Sequence, residues 1–192
     1  MKYGLLEYFR LGLNSCYSHF IIDRNIRIIK GYPRLINKKN IHFGKNFTAG
    51  IGLRVECLNK DAVVIFGKNC KLNDYIHIGA IGKIIIGDHC LFGSKITIVD
   101  HHHGNYSSNT HSFPTEKPDD RRLIGKDIII GKRVWLGSGC VIMPGVQIGD
   151  GAIIGANSVV INNVDPSSIA VGCPAKIIKR FNIKTKKWEK ID

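Results

Sequence analysis

The 192-residue chain lacks an uninterrupted apolar run, and no small-residue cleavage site follows its first segment, MKYGLLEYFRLGLNSCYSHFII. Neither a signal peptide nor a spanning helix is therefore expected. Its six cysteines (Cys16, Cys57, Cys70, Cys90, Cys140 and Cys173) form no CxxC pair and no ladder of close spacings. That argues against a disulfide framework or a structural zinc site, and for a reduced, cytoplasmic protein. Acidic residues are scarce, 15 against 28 Lys and Arg, which leaves a formal charge of +13. Partners are expected to be anionic: phosphorylated cofactors, nucleotide-linked sugars or membrane surfaces. Nucleic acid is not expected, because no basic helix, RNP-like aromatic pair or zinc-finger spacing accompanies the charge.

What is present fits one domain long enough to bury a continuous core. Tyr3, Leu6, Phe9, Leu13, Tyr17 and Phe20 recur at three- and four-residue steps, a helical stripe. Such a stripe packs on its own domain or on a partner subunit, with a peripheral helix on the membrane surface as the alternative.

The main signal is a repeat. Ile130, Leu136, Ile142, Ile148, Ile154 and Val160 fall on a strict six-residue step, and four of them are followed by Gly131, Gly137, Gly149 and Gly155. Four residues after each stand Val134, Cys140, Val146, Ala152, Ser158 and Val164, all small or modest in volume. The register recurs upstream at Phe66-Gly67, Leu72-Asn73 and Ile78-Gly79, and after a slip at Ile86-Gly87, Phe92-Gly93 and Ile98. Six residues are too few for a hairpin pair and have the wrong period for a helix. They suit a coiled sheet whose short strands each send one large and one smaller side chain inward, with Gly or Asn at corners that need φ > 0. Cys70, Cys90 and Cys140 then read as core residues rather than nucleophiles.

This pattern resembles the hexapeptide-repeat acyltransferases. The resemblance implies an all-β solenoid, a left-handed parallel β-helix. On that frame residues 1–40 are an N-terminal helical or irregular cap, 41–178 the repeat, and 179–192 a C-terminal tail carrying Trp188.

Between Ile98 and Ile128 the register vanishes into a polar insertion, the loop 100–126, which opens with Asp100-His101-His102-His103-Gly104. Long loops in compact repeat folds usually carry function. Moving an acetyl group from a thioester to a sugar hydroxyl needs a base, and a neutral imidazole serves at physiological pH. The Asp-His-x-His-Gly run resembles the polysaccharide and lipopolysaccharide O-acetyltransferases of this family, those of O-antigen in particular, and implies His101 as that base. His103, two residues on, shares its side of an extended chain and is expected to orient the acceptor, while His102 faces away.

The segment GKRVWLGSGCVIMPGVQIGDGAIIGANSVVINNV and the later AVGCPAK resemble the family's C-terminal half. The resemblance implies acetyl-CoA in a groove between subunits of a homotrimer. Ser138 and Ala156 are then small cofactor contacts, Lys176 and Lys179 lie near the CoA phosphates, and Trp135 is either packing or an edge contact. Ile161 and Asn162 replace a Thr-Lys pair found in some members. Asn73, Asp74 and Tyr75 are candidate acceptor contacts, with corner and surface roles as the plain alternative; Asp74 is also a candidate for orienting His101.

The resulting reading is an acetyl-CoA-dependent O-acetyltransferase acting, without a metal, on an O-antigen or other surface-polysaccharide precursor, which a lipid carrier would bring to the inner face of the membrane. A small-molecule sugar or xenobiotic acetyltransferase shares every catalytic feature. A zinc enzyme like the γ-class carbonic anhydrases would need histidines spread over neighbouring coils, which the offsets of His77 and His89 do not obviously supply. A non-catalytic scaffold would need neither the His-rich loop nor the CoA-like segment.

Overall fold

The computed structural model describes residues 4–106 and 111–191. Tyr3 of the expected stripe and residues 107–110 of the insertion lie outside the described residues.

Each repeat contributes one short strand, and the strands stack into parallel sheets that form three faces of a solenoid. The first face runs through Ile26–Ile29, Phe47–Ala49, Lys71–Leu72, Leu91–Phe92, Trp135–Leu136, Ile153–Ile154 and Ser168–Gly172. The second holds Arg34–Ile36, Arg54–Cys57, His77–Ala80, Thr97–Val99, Val141–Ile142 and Val159–Val160. The third holds Ile41–His42, Val63–Phe66, Lys83–Ile86, Ile128–Ile130 and Gln147–Ile148.

Inward residues form ladders along the axis. On the second face Val55, Ile78, Ile98, Ile142 and Val160 stand in register, all buried; on the first, Leu72, Phe92, Leu136 and Ile154 do the same. Full burial of each such side chain contributes roughly 1.5–3 kcal/mol. Cys70, Cys90 and Cys140 are buried among them, with their thiols directed at the carbonyls of Gly87, Gly131 and Gly155. Contact with Cys70, then burial, pushes the Cys90 thiol up, and burial raises Cys140. Neither is a thiolate nucleophile at neutral pH.

The corners divide two tasks that the sequence pattern merges. Positive φ falls immediately before the smaller inward residue, at Asn69, His89, Arg133 and Asn157 among others. The glycine after the large residue is required for a different reason. A Cβ on Gly137 would lie 2.5 Å from the Ala156 nitrogen of the next coil.

The stack begins earlier than the expected boundary at residue 41, since Ile26–Ile29 already pairs in parallel with Phe47–Ala49 and Arg34–Ile36 with Arg54–Cys57. A register shift between Ile26 and Ile28 breaks the period there. The far end is also more ordered than a tail. Ala175–Asn182 folds back antiparallel on Ser168–Gly172, and Lys187–Lys190 adds a further antiparallel strand, with Phe181 and Trp188 in edge contact at 5.4 Å.

The N-terminal helix, Leu5–Tyr17, buries none of its residues. Leu6, Phe9 and Leu13 are exposed, so the stripe is not packed on its own chain; Tyr17 alone among them rests against the core. The helix is anchored by the buried Ser18 hydroxyl, which donates to the Asn14 carbonyl at 2.6 Å and accepts the Ile29 N–H at 2.8 Å. No helix among the described residues is long and apolar enough to cross a membrane.

Candidate active site

The insertion leaves the solenoid at the corner between the second and third faces, and Asp100 pins it there. The fully buried Asp100 carboxylate accepts the N–H of Ile81 at 2.9 Å on Oδ1 and of Gly82 at 2.8 Å on Oδ2, satisfying two corner amides of the preceding coil. The return strand, Leu123–Gly125, pairs antiparallel with His101–His103, and the Lys126 N–H closes onto the Asp100 carbonyl at 2.8 Å.

His101 follows directly, and its Nδ1 lies 3.0 Å from Asp100 Oδ1, with the side chain 9% exposed. A carboxylate at this nitrogen makes Nδ1 the donor and leaves the lone pair on Nε2. Asp100, not Asp74, therefore orients His101. The Asp74 carboxylate instead accepts the Ile51 N–H at 2.9 Å.

A second carboxylate–imidazole pair lies on the same face. His77 Nε2 is 3.3 Å from Oε2 of the buried Glu56, which Arg54 Nη2 meets at 2.6 Å, while Arg34 Nε stands 3.1 Å from Oε1. Burial pushes the Glu56 carboxyl up, but the Arg54 hydrogen bond and charge, the His77 hydrogen bond and the Arg34 charge together hold it below its ordinary value. His77 is held low, by burial first and the Arg54 charge second, so it is neutral near pH 7. Gly79 lies between the two pairs: a Cβ there would be 3.6 Å from His101 Cε1 and 3.7 Å from His77 Nε2. Gly79 is itself buried beneath the two imidazoles and Val99, and its missing side chain lets the two rings approach one another.

Other expected site residues fall elsewhere. His103 is exposed, and its carbonyl accepts the Tyr106 hydroxyl at 2.6 Å. His102, expected to face away, lines a cavity of about 300 Å³ with Tyr106, Ile124, Lys126 and Pro144. Trp135 is half exposed on the first face between Leu91 and Ile153. Ser138 and Ala156 are exposed and stacked at the corner between the first and second faces, where Ser138 Oγ accepts the Ser94 N–H at 3.1 Å. These three form one strip, across the second face from His101. Lys176 is exposed and Lys179 half-buried, and a bulge in their strand sets them opposite Val171 and Ile169, two residues apart in the neighbouring strand and so on one side of the sheet.

Asn73 and Asp74 line a cavity of about 880 Å³ between the N-terminal helix and the first face, together with Ser15, Lys30, Lys71 and Leu91. His101 is not part of that lining. Tyr75 is exposed, with φ 58°, and its ring covers the space where a Cβ on Gly52 would stand. Among the described residues no three His, Cys, Asp or Glu side chains converge as a metal-ligand group.

Residues 127–162 match the family model described as bacterial transferase hexapeptide (six repeats), and 83–99 match that of the hexapeptide repeat of succinyl-transferase. WbbJ of Escherichia coli K12, provisionally named a lipopolysaccharide biosynthesis O-acetyl transferase, is 41% identical over 190 residues, covering 98% of this chain and 96% of that protein. The chain belongs to the hexapeptide-repeat acyltransferases. Galactoside O-acetyltransferase of Escherichia coli K12 is 30% identical over 154 residues, 78% of this chain and 58% of that relative. A solved galactoside acetyltransferase in complex with coenzyme A is similar at TM-score 0.55 and 26% identity, covering 85% of this chain and 70% of that one. AntD, an N-acyltransferase from Bacillus cereus solved with dTDP-4-amino-4,6-dideoxyglucose and coenzyme A, shares the fold at TM-score 0.65 and 23% identity, over 95% of this chain and 92% of that one.

For this hexapeptide-repeat acyltransferase, sequence reasoning missed the Glu56–His77 pair and Gly79. The available signal was Glu56 itself, an acidic residue inside the apolar strand Arg54–Cys57 and in register with Gly79.

Proposed function

We propose that the protein transfers the acetyl group of acetyl-CoA to a hydroxyl of a surface-polysaccharide precursor, with His101 as general base. The Asp100–His101 pair carries this reading: a buried carboxylate fixes the tautomer and presents Nε2 to an acceptor. His101 Nε2 takes the hydroxyl proton as the sugar oxygen attacks the thioester carbonyl. A C–O bond forms, the C–S bond breaks, and the imidazolium returns the proton to the departing thiolate. No acyl group is attached to the protein: the sugar oxygen attacks the thioester directly.

The polysaccharide assignment rests on the near full-length likeness to WbbJ. Trp135, Ser138 and Ala156 are read as the strip along which the donor lies, with Lys176 and Lys179 reaching its phosphates. That strip and His101 flank opposite edges of the second face, so donor and base meet when two chains pair across a groove. A homotrimer with cyclic symmetry supplies three such grooves.

The test is acetyl-CoA turnover, read as thiol release, against lipid-linked, nucleotide-linked and free saccharides, beside His101→Ala and light scattering for assembly. Acceptor-dependent release that collapses in the variant supports the proposal. Undiminished release in His101→Ala overturns the base assignment, and a monomer with full activity overturns the shared groove.

A further inference from the structure

The second face carries an arginine pair that acetyl transfer, as just described, leaves unused. Arg34, Arg54 and His77 occupy successive strands in direct register, each step about 4.8 Å along the axis. Glu56 lies alongside, hydrogen-bonded to Arg54 and ion-paired with Arg34 without a hydrogen bond at Oε1, and the Arg34 and Arg54 side chains remain 65% and 44% exposed. A buried carboxylate that holds Arg54 by one edge stiffens it, so that its remaining N–H donors need little reordering to meet an anion, with Arg34 one strand away to share the charge. The group as a whole keeps net positive charge, two guanidiniums against one carboxylate.

Its place relative to the base gives it meaning. From the buried Gly79, His101 lies on one side and His77 on the other, and Arg54 and Arg34 continue the line away from the base. Resting on the assignment of His101 as base, we infer that Arg34 and Arg54 bind the diphosphate of the acceptor, whose sugar lies beside His77 with its reacting hydroxyl at His101 Nε2. The acceptor is then a glycosyl diphosphate, carried either by a nucleoside or by a polyprenyl lipid. Two guanidiniums one strand apart suit two linked phosphoryl groups better than a single carboxylate. The donor is not the anion concerned: the strip read as its track lies in later coils, from Trp135 onward, on the far side of His101.

The experiment uses the full chain saturated with CoA, so that donor phosphates cannot report. Inorganic pyrophosphate, dTDP and farnesyl diphosphate are titrated by calorimetry against wild type, Arg34→Gln, Arg54→Gln and Arg54→Lys. Wild type is expected to bind pyrophosphate and at least one of the two carriers' analogues, with affinity at least tenfold weaker in both Gln variants, a loss of about 1.4 kcal/mol. Arg54→Lys preserves the charge and the pairing with Glu56, and is expected to fall between, which separates recognition from misfolding. Tighter binding of dTDP names a nucleotide-linked acceptor, and tighter binding of farnesyl diphosphate a lipid-linked one. No binding by any of the three probes, or equal binding by all variants, overturns the inference. So does a Gln variant whose sole change, by light scattering, is dissociation of the subunits. None of these outcomes bears on acetyl-CoA turnover or its loss in His101→Ala, so the two readings fail separately.

Discussion

Two carboxylate–imidazole pairs face one another across Gly79, and they are wired differently. Asp100 is neutralised by backbone N–H groups and holds His101 by Nδ1, leaving Nε2 to the substrate side. Glu56 is neutralised by guanidiniums and holds His77 by Nε2. The first arrangement makes Nδ1 the donor and leaves the Nε2 lone pair unclaimed by the carboxylate. The second places a cation next to the ring and holds it neutral. The same residue types are therefore held in two states, which suits the proposed roles of a base on one side of Gly79 and part of a binding surface on the other.

The sharpest way to break that distinction is to remove each imidazole. His101→Ala is expected to lower kcat/KM for acetyl transfer by about 10²–10⁴, the usual range for a positioned general base, and His77→Ala by no more than about tenfold. Equal losses would erase the contrast. Asp100→Asn is expected to cost about 10², because an amide nitrogen at the Gly82 position cannot accept that N–H and the orientation of the ring is lost. Steady-state thiol release on purified variants measures all three, and an Asp100→Asn enzyme with wild-type turnover would remove the orienting role.

The unequal legibility of the two pairs has a physical cause. Asp100 and His101 are adjacent, at a loop start that interrupts a strict period, so a motif reads them. Glu56 and His77 are 21 residues apart and meet only because their strands stack. Nothing in the hexad constrains an outward position, since packing acts on the inward ladder alone; the ladder from Leu72 to Ile154 was legible for that reason. The coil that starts at Ile26 was hidden by a register shift, and the closing strands by their antiparallel return, which has period two and no glycine signal. The Ser138–Ala156 corner was legible as repeat. Its distance from His101 across the second face was not, because the hexad says which residues point inward and not which face a later insertion leaves from.

Glycines separate scaffold from site. Gly137→Ala would force a Cβ against the backbone of the next coil and is expected to destabilise the fold by about 1–3 kcal/mol, read as a fall in the denaturation midpoint. At Gly79 the same methyl meets His101 and His77 at ordinary contact distance, so the fold is expected to hold. It would crowd the two imidazoles that the proposal sets beside the sugar, raising KM for the acceptor about tenfold with KM for acetyl-CoA unchanged, the size of effect one misplaced group produces in a binding pocket. A Gly79→Ala enzyme with wild-type acceptor KM would mean that the sugar does not rest on these rings.

The smallest expected effect concerns pH. Unfolded, His77 takes a proton near 6.5; folded, burial and then the Arg54 charge delay that to lower pH. Just below 6.5 the unfolded state therefore binds more protons, so stability is full above that value and declines as pH falls through it. Glu56 has the same sign in a lower window: its folded carboxyl stays ionised below the ordinary 4.5, and the stability this confers is lost as pH falls from there. In a melting series from about pH 7.5 to 3, His77→Gln is expected to flatten the upper limb alone, and Glu56→Gln the lower. Each kcal/mol gained or lost displaces the midpoint by about 2–4 °C. If His77→Gln leaves the upper limb as steep as in wild type, His77 is not kept neutral by its neighbours, and the two pairs are more alike than their geometry indicates.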